Sequence, residues 1–183
     1  YLIAEYGVWY AGAAVVPINA KLHAREAAWI IDNAGAGLAI ATPDLAADLA
    51  TVSGCPVIET GSADWQALLG ASPVPAPAAR EPDDLAWLFY TSGTTGRPKG
   101  VIMTHRMLMT MSLCYQTDCA LVTGADAAIY AAPLSHGAGI YNMMHVRAGA
   151  RHAFPPSGGF DEGEVLDLAA HFGRAHLFMA PTM

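Results

Sequence analysis

Residues 90–100 read YTSGTTGRPKG and concentrate groups that bind anions. Gly93, Gly96 and Gly100 can take positive φ and leave no side chain between backbone and ligand. Successive backbone N–H groups in such a turn make an anion-binding nest. Thr91, Ser92, Thr94 and Thr95 add hydroxyl donors, and Lys99 adds a compact positive charge that can follow a moving phosphate. Pro98 stiffens the approach to that lysine. The chemistry these residues suit is the binding of a polyphosphate. The competing reading, a Gly/Thr-rich hairpin turn that contains a lysine, stands against the coincidence of three glycines, four hydroxyls and a Pro-Lys-Gly ending.

Two better-known phosphate loops do not fit. A Walker loop ends Gly-Lys-Ser/Thr, with its hydroxyl on Mg²⁺. Here Pro98 precedes the lysine and Gly100 follows it. The GxGxxG dinucleotide fingerprint is also absent from this segment. A second candidate is His136, in the run LSHGAG. Its imidazole can donate to an anion, and Gly137 and Gly139 allow close backbone approach; the alternative is a histidine that caps the next helix. No GxSxG elbow occurs, so Ser135-His136 is not read as a hydrolase dyad. The other six of the seven histidines form no metal pattern and read as solvated or core residues. His171 and His176 are expected to lie on either side of a helix-to-strand boundary.

With these residues in view, YTSGTTGRPKG resembles the signature phosphate loop of the adenylate-forming (AMP-binding) enzymes. That family includes acyl-CoA synthetases, luciferases and the adenylation domains of peptide synthetases. The resemblance extends to residues 7–19 (GxxxAGAxxVPIN), 132–139 (APLSHGAG) and 179–183 (MAPTM), in family order. It implies an acyl-CoA synthetase of the fatty-acid or aryl-acid CoA ligase type. Such an enzyme makes acyl-AMP and pyrophosphate from a carboxylic acid and ATP-Mg²⁺, then forms a thioester with CoA. The resemblance implies that Thr91, Ser92, Gly93, Thr94, Thr95 and Gly96 wrap the ATP phosphates. It implies catalytic roles for Lys99, which holds departing pyrophosphate, and for His136, beside the acyl carboxylate and α-phosphate. His136, Gly139, Ile140 and Tyr141 would line the acyl pocket, although a Tyr and Met144 at helical spacing also read as plain core. No residue is assigned to a metal.

Family parts for the adenine, the ribose and the hinge, and the small C-terminal domain with its catalytic lysine, are not in this sequence. The chain is therefore expected to be a fragment of the large N-terminal domain. Two alternatives stay open: an adenylation domain that loads a carrier protein, and a noncatalytic nucleotide-binding module.

Composition narrows the setting. With 54% hydrophobic and 14% charged residues, the 183-residue chain can bury a real core and is not disordered. A net charge of −7 argues against nucleic acid or anionic membrane as partner. Arg97, Lys99 and Arg106 cluster within ten positions on this acidic background, which suits a small anionic ligand. Apolar runs such as 11–18 are broken by Gly and Pro and too short to span a bilayer. Three cysteines with no CxxC favour reduced thiols and a cytoplasmic location.

Alternating helices and apolar strands must position these motifs. Helices are expected over 1–10, 24–34, 44–51, 64–69, 106–119 and 139–147. Strands are expected over 13–17, 37–41, 56–58, 85–91, 101–104, 127–131, 152–154 and 176–179. Asp161 and Glu164 mark a capping-box-like start to a further helix. Repeated βα units with fully apolar strands imply an α/β fold, a mostly parallel sheet with helices on both faces. Pro73, Pro75, Pro77 and Pro82 block regular structure over 71–84. The expected organisation is a first α/β segment at 1–70, a Pro-rich linker at 71–84 and a phosphate-loop subdomain at 85–183.

Expressed alone, these 183 residues are expected to show no turnover in an acyl-hydroxamate assay. Self-association through an uncovered sheet edge or helix face should appear in light scattering as a mass that rises with concentration. A monodisperse monomer turning over at enzyme-like rates would contradict both expectations.

Overall fold

A computed structural model describes residues 1–91 and 97–181. They form two compact units, Tyr1–Met103 and Thr104–Met183. The first holds α1 (Leu2–Tyr10), α2 (Ala24–Ala34), β1 (Ala39–Ala41), α3 (Pro43–Val52), β2 (Val57–Glu59), α4 (Ala63–Gly70), β3 (Leu85–Thr91) and β4 (Lys99–Thr104). The second holds α5 (His105–Asp118), β5 (Ala127–Ile129), α6 (Gly137–Ile140), α7 (Met143–Ala148), β6 (Arg151–Ala153), α8 (Glu162–Phe172) and β7 (Ala175–Leu177). The fold is α/β with parallel strands, as the alternating pattern predicts.

In the first unit, α2 starts and stops on sequence signals. The His23 backbone N–H donates to Glu26 at 3.0 Å, and His23 Nδ1 accepts from the Arg25 N–H at 3.2 Å, so two orphan donors are satisfied. At its other end Gly35 takes φ +64°, the left-handed conformation that closes a helix. Ile30 and Ile31 turn inward. Strands β1 and β2 pair in parallel, with Ile40 opposite Ile58, and α3 is the crossover that parallel pairing requires.

The strand expected over 13–17 reduces to one parallel bridge between Val15 and Trp87. Gly12 turns the chain at φ +76° just before it, and Pro17 has no N–H to continue the ladder. Trp87 is fully buried; the Trp9 indole crosses it at 6.2 Å and donates to the Ala86 carbonyl at 2.8 Å. The proline-rich segment forms no helix or strand and lies inside this unit, with the Ala78 N–H bonded to the Tyr10 carbonyl at 2.9 Å.

The second unit is built on β5, flanked by β6 and β7, all parallel. Two expectations are corrected here. The single helix over 139–147 is two short helices. The Asn142 amide donates to the Gly139 carbonyl at 2.6 Å and His145 Nδ1 to the Tyr141 carbonyl at 2.8 Å, and side chains that compete for backbone carbonyls in this way interrupt a helix. The capping box of α8 is half formed. Asp161 accepts from the Glu164 N–H, but Glu164 accepts from the Ser157 N–H instead of returning the bond.

Asp126 is the buried charge of this unit, 0% exposed. It accepts from the Thr123 N–H at 2.7 Å and its hydroxyl at 3.1 Å, and Arg174 Nε lies 2.7 Å from Oδ1. That last contact lacks hydrogen-bond geometry, so Oδ1 is held by ion pairing. The Thr123 N–H bond, above all, keeps the carboxyl below the ordinary carboxylate range. Burial instead pushes His145 and His152 below the ordinary histidine value of 6.5, so both are neutral in the fold.

The sign of the pH dependence follows. An unfolded histidine binds a proton near pH 6.5, and these two resist it when folded. Their contribution is complete above pH 6.5 and is lost as pH falls below it. The urea midpoint of the second unit should therefore fall from pH 7.5 to 5.5, before Asp126 titrates. His152→Gln should flatten that fall; a midpoint constant over this range would refute the buried neutral histidines.

Candidate active-site segments

The phosphate-loop candidate lies between β3 and β4. Residues 92–96, which include Ser92, Gly93, Thr94, Thr95 and Gly96, lie outside the described residues, so the structure speaks to the loop's two ends. Thr91 ends β3 and Lys99 begins β4, and both are exposed. The two strands are hydrogen-bonded neighbours, so the loop leaves and re-enters the same small sheet.

Both ends are fastened to α2. The Tyr90 hydroxyl donates to Asn33 Oδ1 at 2.7 Å, and the Arg97 guanidinium lies 5.9 Å from the centre of the Trp29 ring. Gly100 sits under Tyr90, where an added Cβ would come within 3.0 Å of the phenol ring. Its backbone is part of strand β4, so the constraint on this glycine is packing and not turning. Asn33 reads in the sequence as a helix stop signal. The helix does end one residue later, at Ala34, and Asn33 also anchors the strand that carries the loop.

His136 is placed in the second unit, seven residues after β5 ends, at the N-cap of α6. Its side chain makes no capping bond. Nδ1 lies 2.9 Å from Ser135 Oγ, and the residue is exposed while Ser135 is buried. The turn is held by the His136 N–H to the Pro133 carbonyl at 3.1 Å and by the Gly139 N–H to the His136 carbonyl at 2.9 Å. A Cβ added at Gly139 would overlap the Leu134 carbonyl, and one at Gly137 would press into the Phe178 ring. Only glycine at 139 lets the segment fold back this tightly.

Next to this turn the second unit has a cavity of about 230 Å³. Of the four residues expected to line an acyl pocket, Tyr141 contributes to its wall, while His136, Gly139 and Ile140 are not among the described lining residues. Its walls come from the ends of β5 and β7, from Tyr115 on α5, and from Ala138, Tyr141 and His145.

Sequence reading missed the polar residues around it. His145 and His176 meet edge to face at 4.9 Å, the Tyr115 hydroxyl lies 3.3 Å from His176 Nδ1, and the Tyr130 hydroxyl lies 2.8 Å from His152 Nδ1. These residues sit on α5, α7, β6, β7 and the end of β5, so no local spacing connects them. Asp126 did have a local signal. Thr123-Gly-Ala-Asp126 is a turn in which side chains bond backbone a few residues away. Among the described residues no three His, Cys, Asp or Glu side chains are placed to hold a metal ion, and no helix is long and apolar enough to cross a membrane.

The family described as AMP-binding enzyme matches residues 1–183. A feruloyl-CoA synthase from an Amycolatopsis species is 30% identical over 187 residues, covering 100% of this chain and 36% of that protein. The ATP-bound MatB of Rhodopseudomonas palustris is similar with a TM-score of 0.78 and 30% identity, over 92% of this chain and 35% of that one. The inhibitor-bound N-terminal domain of FACL13 from Mycobacterium tuberculosis gives a TM-score of 0.83 at 24% identity, over 97% of this chain and 46% of that one, and shares its fold. The chain thus spans about a third to a half of the length of these proteins. A phosphate-loop sequence mounted between hydrogen-bonded strands, a glycine-tight histidine turn and a match along the whole length agree: the chain belongs to the AMP-binding enzyme family.

Proposed function

We propose that the protein containing this chain is an acid–CoA ligase. An oxygen of a carboxylate attacks the α-phosphorus of ATP, the bond to the β-phosphate oxygen breaks, and pyrophosphate leaves with that electron pair. The thiolate of CoA then attacks the acyl carbon, and AMP departs as the thioester forms. The observation that carries this reading is the sequence YTSGTTGRPKG between β3 and β4, in a chain that matches the AMP-binding family from end to end. The similarity to a feruloyl-CoA synthase and to an ATP-bound relative supports CoA as acceptor and ATP as the activating nucleotide.

In this reading Thr91, Ser92, Gly93, Thr94, Thr95 and Gly96 present N–H and hydroxyl donors to the phosphates. Lys99 stabilises the charge that builds on pyrophosphate as it leaves. His136 donates to the acid carboxylate or α-phosphate from a turn that Gly139 keeps tight. Mg²⁺ accompanying ATP takes its oxygens mainly from phosphates and water, as that ion commonly does. We assign none of this chain's residues to it.

The full-length protein should catalyse acid-dependent exchange of labelled pyrophosphate into ATP. A panel of short, medium and long-chain fatty acids and aryl acids tests it, and exchange with none of them would sink the ligase reading. Lys99→Ala should lower kcat roughly a hundredfold, with a smaller effect on acid binding, because its contact strengthens as pyrophosphate departs. His136→Ala should raise the apparent KM for the acid and slow adenylation. Wild-type rates in both variants would remove the residue assignments while leaving the reaction class in place.

A further inference from the structure

We propose that α2 braces the phosphate site: Asn33, through the Tyr90 hydroxyl, and Trp29, through the Arg97 guanidinium, are positioning residues for Thr91 and Lys99. This role deepens the ligase reading and rests on it.

Tyr90 joins three elements. Its hydroxyl donates to Asn33 Oδ1 on α2 at 2.7 Å, the favoured length for such a bond. Its ring packs on Gly100 in β4, where an added Cβ would lie 3.0 Å from Cζ. Its backbone lies in β3, next to Thr91, and Gly100 follows Lys99. One phenol thus touches the strand residues beside both proposed phosphate ligands.

Trp29 and Asn33 are four residues apart on α2, so they share one face, about 6 Å apart along the axis. Arg97 lies 5.9 Å from the centre of the Trp29 ring, within the roughly 6 Å reach of a cation–π contact. A single helix face therefore meets the chain at both strand ends, through Asn33 at β3 and through Trp29 just before β4. The helix is itself fixed, closed by His23 and Glu26 at one end and by Gly35 at the other, with Ile30 and Ile31 in the core. The brace is tied to the core and not to another loop. It also divides the work of two cations: Arg97 is held by an aromatic ring, and Lys99 is the one assigned to pyrophosphate.

A rigid mount matters because the charge these groups meet appears only during the reaction. Each contact is small, yet a misplacement of about 1 Å can cost on the order of a hundredfold in rate.

Pyrophosphate exchange by the full-length protein, with any acid that supports it, tests the brace through two double-mutant cycles. Asn33→Ala and Tyr90→Phe should each raise the apparent KM for ATP about three- to tenfold and leave the KM for the acid unchanged. The double variant should lose no more than the worse single one, because the two side chains act through one bond. Trp29→Leu and Arg97→Ala should behave alike, with a rise of about two- to fivefold. A merely structural role would lower the urea midpoint and the active fraction without moving the KM for ATP. An unchanged KM for ATP in Asn33→Ala and Tyr90→Phe, or losses that add in their double variant, overturns the brace and leaves the ligase reading intact. An Arg97→Ala loss that Trp29→Leu does not share would make Arg97 a phosphate ligand and overturn that half of the proposal. Exchange with no acid at all removes both readings. Tyr90→Phe removes one oxygen and Asn33 is exposed, so this pair decides the matter even if Trp29→Leu misfolds.

Discussion

Parallel pairing is the constraint on which the second unit depends. When β5 and β7 run side by side in the same direction, their carboxyl ends open at one edge of the sheet. The segments that leave there are almost fifty residues apart in sequence, yet Phe178 lies against Gly137 and stacks on Tyr141 at 5.3 Å. Open α/β sheets bind ligands outside the carboxyl ends of their strands. Here that edge carries the His136 turn, the cavity and the first residues of MAPTM.

The register of that sheet is fixed by a residue with no part in the proposed chemistry. Asp126 precedes β5 and gives its backbone carbonyl to the Arg151 N–H at 3.0 Å, at the start of β6. Its carboxylate holds Arg174, whose own carbonyl accepts from the Ala127 N–H at 2.9 Å beside β7. One buried carboxylate thus ties three strand starts together. Such a pair is weak evidence for net stability, but Asp126 without the largely exposed Arg174 would be a buried uncompensated charge, which punishes misregistered pairings.

Legibility in the sequence followed the range of the determining interaction. The bounds of α2 could be read because they depend on adjacent residues: His23 and Glu26 at one end, Gly35 at the other. Strand β3 was legible as an apolar run, and the phosphate-loop candidate as a motif. The break between α6 and α7 was not, because Asn142 and His145 side chains take carbonyls that periodicity assigns to a continuous helix. The strand around Val15 shrank to a bridge because its extent depends on Trp87, 72 positions away. The polar cluster around His145 was invisible for the same reason; its members meet only after five elements have packed. The family resemblance reached residues 182 and 183 as well as 92–96, which lie outside the described residues.

The overlap of Gly139 with the Leu134 carbonyl divides the LSHGAG turn into two kinds of position. Position 139 has no room for any side chain, and what happens there is transmitted to the backbone that carries His136. Tyr141, two positions on, is half-buried and lines the cavity, so a change of size there meets open space. Backbone closure and cavity lining are therefore carried by separate residues at neighbouring positions. The wall of the cavity can thus be altered at Tyr141 while the tight turn that carries His136 keeps its shape.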